Sequence, residues 1–146
     1  KSRSMAGARL GFAFANAALI ADLERIKYAT NPYNINRLTQ AAGAQALEED
    51  AYFRANCRRI IETREYVSAE LQKRGFILTD SQANFLFAKS DRIDGETLYR
   101  RLREKGVLIR HFTKDRIKNY NRITIGSREE MEIFLQKTDE ILEELT

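Results

Sequence analysis

The spacing of apolar side chains changes character at Gly75, and that change limits the folds open to this chain. From residue 16 to Gly75 the apolar residues recur at helical spacing; after it, short runs that suit strands alternate with helical stretches. The longest helix is predicted over residues 50–74. There Phe53, Cys57, Ile60, Ile61, Arg64, Val67 and Leu71 lie near helical spacing, and Gly75 stands where a helix end needs a left-handed residue. Upstream, Asn16 is predicted to cap a helix through Lys27 with Leu19, Ile20, Leu23 and Ile26 on one face, stopped by Asn31 and Pro32. A second helix is expected over residues 35–47. The apolar residues 10–15 read as a buried strand.

Past Gly75, strands are predicted at residues 76–78, 84–88, 107–110 and 122–125. Asp94 opens a helix carrying Leu98, Tyr99 and Leu102, which Gly106 ends. Ser127 and Glu130 form a capping box for a last helix ending near Leu145. This pattern describes a small two-layer α/β unit. The first part is a lone strand followed by helices. A single strand makes no sheet and an apolar helix needs a partner, so this part is not self-sufficient. The chain is therefore expected to be the C-terminal part of a larger protein. Its domain boundary is expected within residues 48–60, dividing residues 1–52 from 53–146.

A chain of 146 residues is long enough to bury a core. The apolar stretch over residues 10–23 is interrupted by Asn16 and Asp22 and is too short for a bilayer, so no membrane partner is expected. No signal peptide is recognisable, and the single cysteine, Cys57, excludes an internal disulfide; a cytoplasmic protein is expected. The net charge is +4, with basic residues concentrated over residues 100–118 against only Glu104 and Asp115. Such a stretch can attract nucleic acid or form a solvated face beside an anion site. No interleaved aromatics, zinc spacing or helix-turn-helix pattern accompanies it, so nucleic acid is not expected as a partner. No Cys/His cluster points to a metal.

The chemistry is concentrated in residues 1–11. Lys1 is followed by Ala6, Gly7, Arg9 and Gly11. A lysine amine can form an imine with an aldehyde cofactor, an arginine can hold a phosphate, and small residues let the backbone approach a flat ring. Taken alone, the spacing also suits a frayed lysine before an ordinary basic turn. The pattern S-x-S-x-A-G-x-R-x-G after a lysine resembles the Schiff-base segment of fold-type I pyridoxal-phosphate enzymes, the aspartate aminotransferase superfamily. Further segments follow in order: Asn31, Pro32, Tyr33, Asn34, Ile35, Asn36; then Ala83, Asn84, Phe85; then Gly106, Val107, Leu108, Ile109, Arg110; then Arg122, Ile123, Thr124, Ile125, Gly126 through Glu130. These are similar to the P-Y-N-[VI]-N, A-N-F, G-[IV]-[IL]-[IV]-R and R-I-[ST]-[IV]-G segments of histidinol-phosphate aminotransferases.

The resemblance implies an α/β fold: the end of the large domain of a fold-type I transferase plus its small α/β domain. It implies pyridoxal 5′-phosphate as cofactor, Lys1 as the Schiff-base lysine and Arg9 as the arginine on the cofactor phosphate. Arg110 and Arg122 match the pair that holds the substrate phosphate, and Arg122 also the arginine that binds amino-acid carboxylates. The implied reaction is amino transfer between a phosphorylated amino alcohol and 2-oxoglutarate, in a homodimer. The residues that stack on and pair with the cofactor ring would lie upstream of Lys1. Threonine-phosphate decarboxylation, transamination of aromatic or aliphatic amino acids, a cofactor-sensing module of a transcription regulator and a plain interaction module remain as alternatives. Among the other residues, Arg3 and Tyr33 are expected to be structural. Asn84 either orients backbone near the site or closes a turn. His111, the single histidine, lacks an Asp or Ser partner at a telling spacing.

Overall fold

The helix ends are set by side chains that meet the unpaired backbone groups there. In the computed structural model, which describes residues 2–145, Asn16, Asn36, Asp94 and Ser127 each accept a backbone N–H from the first turn of a helix. They open α1 (Ala17–Thr30), α2 (Arg37–Glu48), α4 (Gly95–Glu104) and α5 (Arg128–Glu143), while α3 runs Asp50–Lys73. Ser127 and Glu130 complete a reciprocal capping box. Gly75 and Gly106 take φ of +79° and +83°. At Gly106 the bonds from Gly106 N–H to Arg103 O and from Val107 N–H to Leu102 O close a Schellman turn.

The chain divides into two compact units between Ala55 and Asn56, inside α3. In the first, α1 and α2 follow an N-terminal loop with one 3₁₀ turn, Ala6–Ala8. Residues 10–15 do not form the expected strand: they have no regular structure, and Phe12 and Phe14 are 71% and 91% exposed. A strand exists only as part of a ladder, and residues 2–55 contain no second strand to pair with it.

The second unit is built on a four-stranded antiparallel sheet of order β1-β2-β4-β3, made of β1 (Phe76–Leu78), β2 (Phe85–Ser90), β4 (Asn121–Thr124) and β3 (Arg110–His111). β3 is shorter than the strand expected over residues 107–110. The Schellman turn occupies the backbone at Gly106 and Val107, so the chain meets β4 only at Arg110. Side chains alternate on β2 and β4, and Leu86, Ala88 and Ile123 point into the core. They meet Val67 and Leu71 of α3, Leu98 and Leu102 of α4, and Phe134 and Ile141 of α5. Among the described residues no helix is long and apolar enough to cross a membrane.

Polar groups lock this layer. Asn121 is 1% exposed and donates through Nδ2 to Gly95 O at 2.8 Å, joining β4 to the first turn of α4. Gly95 is needed there, since a Cβ would lie 2.5 Å from Lys118 O. Arg64 is 8% exposed and donates to Ala83 O at 2.8 Å, holding the loop before β2. Arg74 grips Asp139 in a two-bond fork of 2.6 and 2.7 Å and also pairs with Glu70, bolting α3 to α5.

Two outcomes follow for stability. Asn121→Ala leaves the Gly95 carbonyl without its buried donor and should cost about 1–3 kcal/mol, read as a lower urea midpoint with unchanged slope. The second concerns Asp94, whose carboxyl is held below the usual carboxylate range, chiefly by the backbone N–H and the side chain of Thr97. Its folded pKa is depressed, so the stability it adds is complete above the unfolded pKa and fades as pH falls through the folded one. An Asp94→Asn chain, whose cap does not titrate, should therefore trail the parent at neutral pH and converge with it in acid. A pH series of urea midpoints reads that gap.

Candidate functional site

The N-terminal loop is shaped by two left-handed residues that are not glycine, Ser4 at φ +58° and Arg9 at φ +55°. Such backbone is uncommon outside glycine and costs energy, which makes it a marker of functional segments. Arg9 closes the 3₁₀ turn through its N–H to Ala6 O. Its side chain is exposed and, among the described residues, forms no ion pair. A Cβ at Gly7 or Gly11 would meet nothing within 4 Å, so the loop surface is open to close approach. Lys1 lies outside the described residues.

Arg3, expected to be structural, anchors this loop to the start of α3. Its Nη2 donates to Asp50 Oδ1 at 3.0 Å, and its guanidinium sits 3.8 Å from the centroid of Phe53. Arg54 also binds Asp50, and the two arginines, Arg54 first, hold the Asp50 carboxyl below its usual range. The remaining Arg3 nitrogen, Nη1, is buried without a hydrogen-bond partner. A buried donor in that state calls for an acceptor. Ser2, Ser4 and Arg9 are exposed in the same loop, and their side chains carry donors of the kind a phosphate accepts from.

In the second unit the β3–β4 register places Arg110 directly opposite Arg122. Both are exposed, on the sheet face away from the buried layer of Leu86 and Ile123. Two like charges at opposing positions weaken a sheet. Among the described residues neither arginine pairs with a carboxylate. The guanidiniums rest instead near aromatic rings: Arg122 lies 5.5 Å from the centroid of Phe85, and Arg110 5.9 Å from that of Phe112. Phe87, opposite Arg122 on β2, stacks on Tyr120 at 4.7 Å and meets Phe112 edge-on at 5.8 Å. An anion seated between the two arginines would remove their mutual repulsion.

The other singled-out residues have plainer settings. His111 faces the opposite way from Arg110: its Nδ1 lies 3.2 Å from Asn121 Oδ1 and its ring stacks on Tyr99 at 5.9 Å. Asn84 closes the end of the sheet, its carbonyl accepting the Ile125 N–H at 2.9 Å. Tyr33 is 89% exposed, so it does not pack in its loop as expected. Sequence reasoning missed Asn121. An asparagine beside a short strand is an ordinary turn signal, and nothing in its neighbours marks it as buried.

Solved structures share this architecture. The histidinol-phosphate aminotransferase of Clostridium acetobutylicum superposes with a TM-score of 0.83 at 28% identity, over 97% of this chain and 43% of that one. The Sinorhizobium meliloti enzyme of that name, solved in complex with pyridoxal-5′-phosphate, superposes with a TM-score of 0.86 over all of this chain and 40% of that one; at 21% identity it speaks for the fold alone. The fold is thus that of the fold-type I aminotransferases. The model of the family "Aminotransferase class I and II" matches residues 1–137, and the chain belongs to that family. Among curated relatives, a histidinol-phosphate aminotransferase of Brachyspira hyodysenteriae is 46% identical over 142 residues, and histidinol-phosphate aminotransferase 1 of Pseudomonas aeruginosa is 48% identical over 135. The matches take in 97% and 92% of this chain but 40% and 38% of those proteins. The chain thus spans about 40% of the length of the curated relatives it matches.

Proposed function

We propose that this chain is the C-terminal portion of a pyridoxal-phosphate-dependent aminotransferase that moves the amine of histidinol phosphate to 2-oxoglutarate. The observation that carries the reading is the cross-strand pair Arg110 and Arg122, exposed and without an acid partner among the described residues. The names of its relatives support it. On this reading residues 1–52 close the large cofactor-binding domain and lead into the interdomain helix, and residues 53–146 form the small domain. The enzyme would work as a cytoplasmic homodimer.

Each residue has a task its chemistry suits. Arg9 holds the cofactor phosphate, helped by the donors of its loop. Lys1 would hold the cofactor through its amine, and its free Nζ would take a proton from the substrate's amine-bearing carbon. The cofactor supplies the electron sink for that carbon. Arg110 and Arg122 take the substrate's phosphate dianion between two planar guanidinium forks. When the amino acceptor occupies the site, Arg122 takes its carboxylate.

The first test concerns the loop. Borohydride reduction of the full-length protein followed by peptide mapping should leave the pyridoxyl label on Lys1; a label on another lysine would refute its role. Arg9→Ala should weaken cofactor retention by about ten- to a hundredfold, the loss typical of one charge-assisted bond. Equilibrium dialysis reads that loss.

The second test separates substrates. Arg110→Ala should damage the half-reaction with histidinol phosphate by about five- to a hundredfold more than the half-reaction with glutamate, whereas Arg122→Ala should damage both. Cofactor absorbance follows each half-reaction. Equal losses at Arg110 would turn the reading to an aminotransferase of ordinary amino acids.

A further inference from the structure

We propose that Phe112 and Phe85 are positioning residues whose ring faces hold Arg110 and Arg122 ready for a phosphate dianion. The proposal rests on the reading of those arginines as the substrate-phosphate pair and extends it to what orients them.

An exposed arginine without a partner samples many rotamers, and ordering it opposes binding. A carboxylate would order it, but would also neutralise it and compete with the incoming anion. A ring face attracts the cation through its quadrupole and leaves the charge in place. Both arginines lie within that range of a ring, at 5.5 Å for Arg122 on Phe85 and 5.9 Å for Arg110 on Phe112.

The rings are themselves held. Phe112 meets Phe87 edge-on at 5.8 Å with the planes 78° apart, and Phe87 stacks on Tyr120 at 4.7 Å. Lys89 covers Tyr120 at 5.7 Å, so its positive charge lies over the ring cluster as well. Phe85 starts β2 one residue after Asn84, whose carbonyl is tied to Ile125. Phe85, Phe87 and Arg122 share the outer face of the sheet by register. The result is an aromatic floor that carries cations and, among the described residues, no carboxylate bonded to either arginine. Such a floor favours the doubly charged end of a phosphorylated amine over a singly charged carboxylate, because the second arginine must be in place before the dianion gains from it.

The test uses full-length protein and the two half-reactions. Phe112→Leu keeps the apolar volume and removes the ring face. It should raise the KM for histidinol phosphate about three- to tenfold, well beyond any rise for glutamate, with kcat for the phosphorylated amine little changed. Phe112→Tyr keeps the ring and should return KM to within about twofold of the parent. Phe85→Leu should raise both KM values, because Arg122 serves both substrates. If Leu fails to accumulate, Phe112→Ile gives the same comparison. Equal behaviour of the Leu and Tyr variants, or an unmoved ratio of the two KM values, would overturn the proposal. Arg110→Ala measured alongside separates the two failures. If it moves the ratio and Phe112→Leu does not, the platform is wrong and the phosphate reading stands. If neither moves it, both fall.

Discussion

The buried amide of Asn121 is the contact on which the second unit's exposed chemistry depends. It faces the core layer, donates to Gly95 O at the start of α4 and lies beside His111 on the neighbouring strand. That fixes which face of β4 is inside. Side chains alternate along a strand, so a slip of one residue would turn Arg122 inward and Asn121 outward. Burial of Asn121 and Ile123 therefore dictates exposure of Arg122, and antiparallel pairing then dictates that Arg110 stands opposite it. The charged pair is a consequence of the neutral core contact behind it.

Local backbone chemistry was the most legible part of the sequence. Asn16, Asp94 and the Ser127–Glu130 box mark helix starts because short polar side chains meet unpaired N–H groups within one turn. Gly75 and Gly106 mark helix ends because a left-handed residue is required there. What failed needed information from outside the segment. Residues 10–15 have the composition of a strand, but a strand is made by its neighbour, and residues 2–55 supply none. β3 is short for a more local reason, since the turn at Gly106 takes the backbone of Gly106 and Val107. Arg3 is structural as expected, but its partner Asp50 lies 47 residues away, beyond any local pattern.

The candidate site was legible in a different sense. Arg110 and Arg122 were singled out by family pattern, and on spacing alone each could have been a solvated strand end. Only the register says that they oppose each other. The rings beneath them were not singled out at all. Phe85 and Phe87 alternate with buried Leu86 and Ala88, so the sequence reads as one apolar run, whereas the structure divides it between core and outer face.

The same division applies to the basic stretch over residues 100–118. Arg101 and Lys105 are tied to Glu140 and Glu144 of α5, and Lys118 to Asp115. Exposed pairs of this kind add little stability one by one, but they cancel charge locally. The stretch is thus less of a cationic surface than its composition suggests. Elsewhere the chain spends arginines on its own architecture: Arg74 forks onto Asp139, Arg64 holds a loop carbonyl, and Arg128 stacks on Tyr66 while pairing with Glu132. Arg110 and Arg122 differ from these: among the described residues they contact aromatic rings and no carboxylate. A chain with 21 acidic residues has carboxylates enough to neutralise them, and the register supplies none. On the proposed reading, an anion bridging the two arginines would offset the like-charge pairing that the register imposes. A monoanion can satisfy one fork; a dianion satisfies both. On the proposed reading, this cross-strand arginine pair is what would favour a phosphate dianion over a carboxylate.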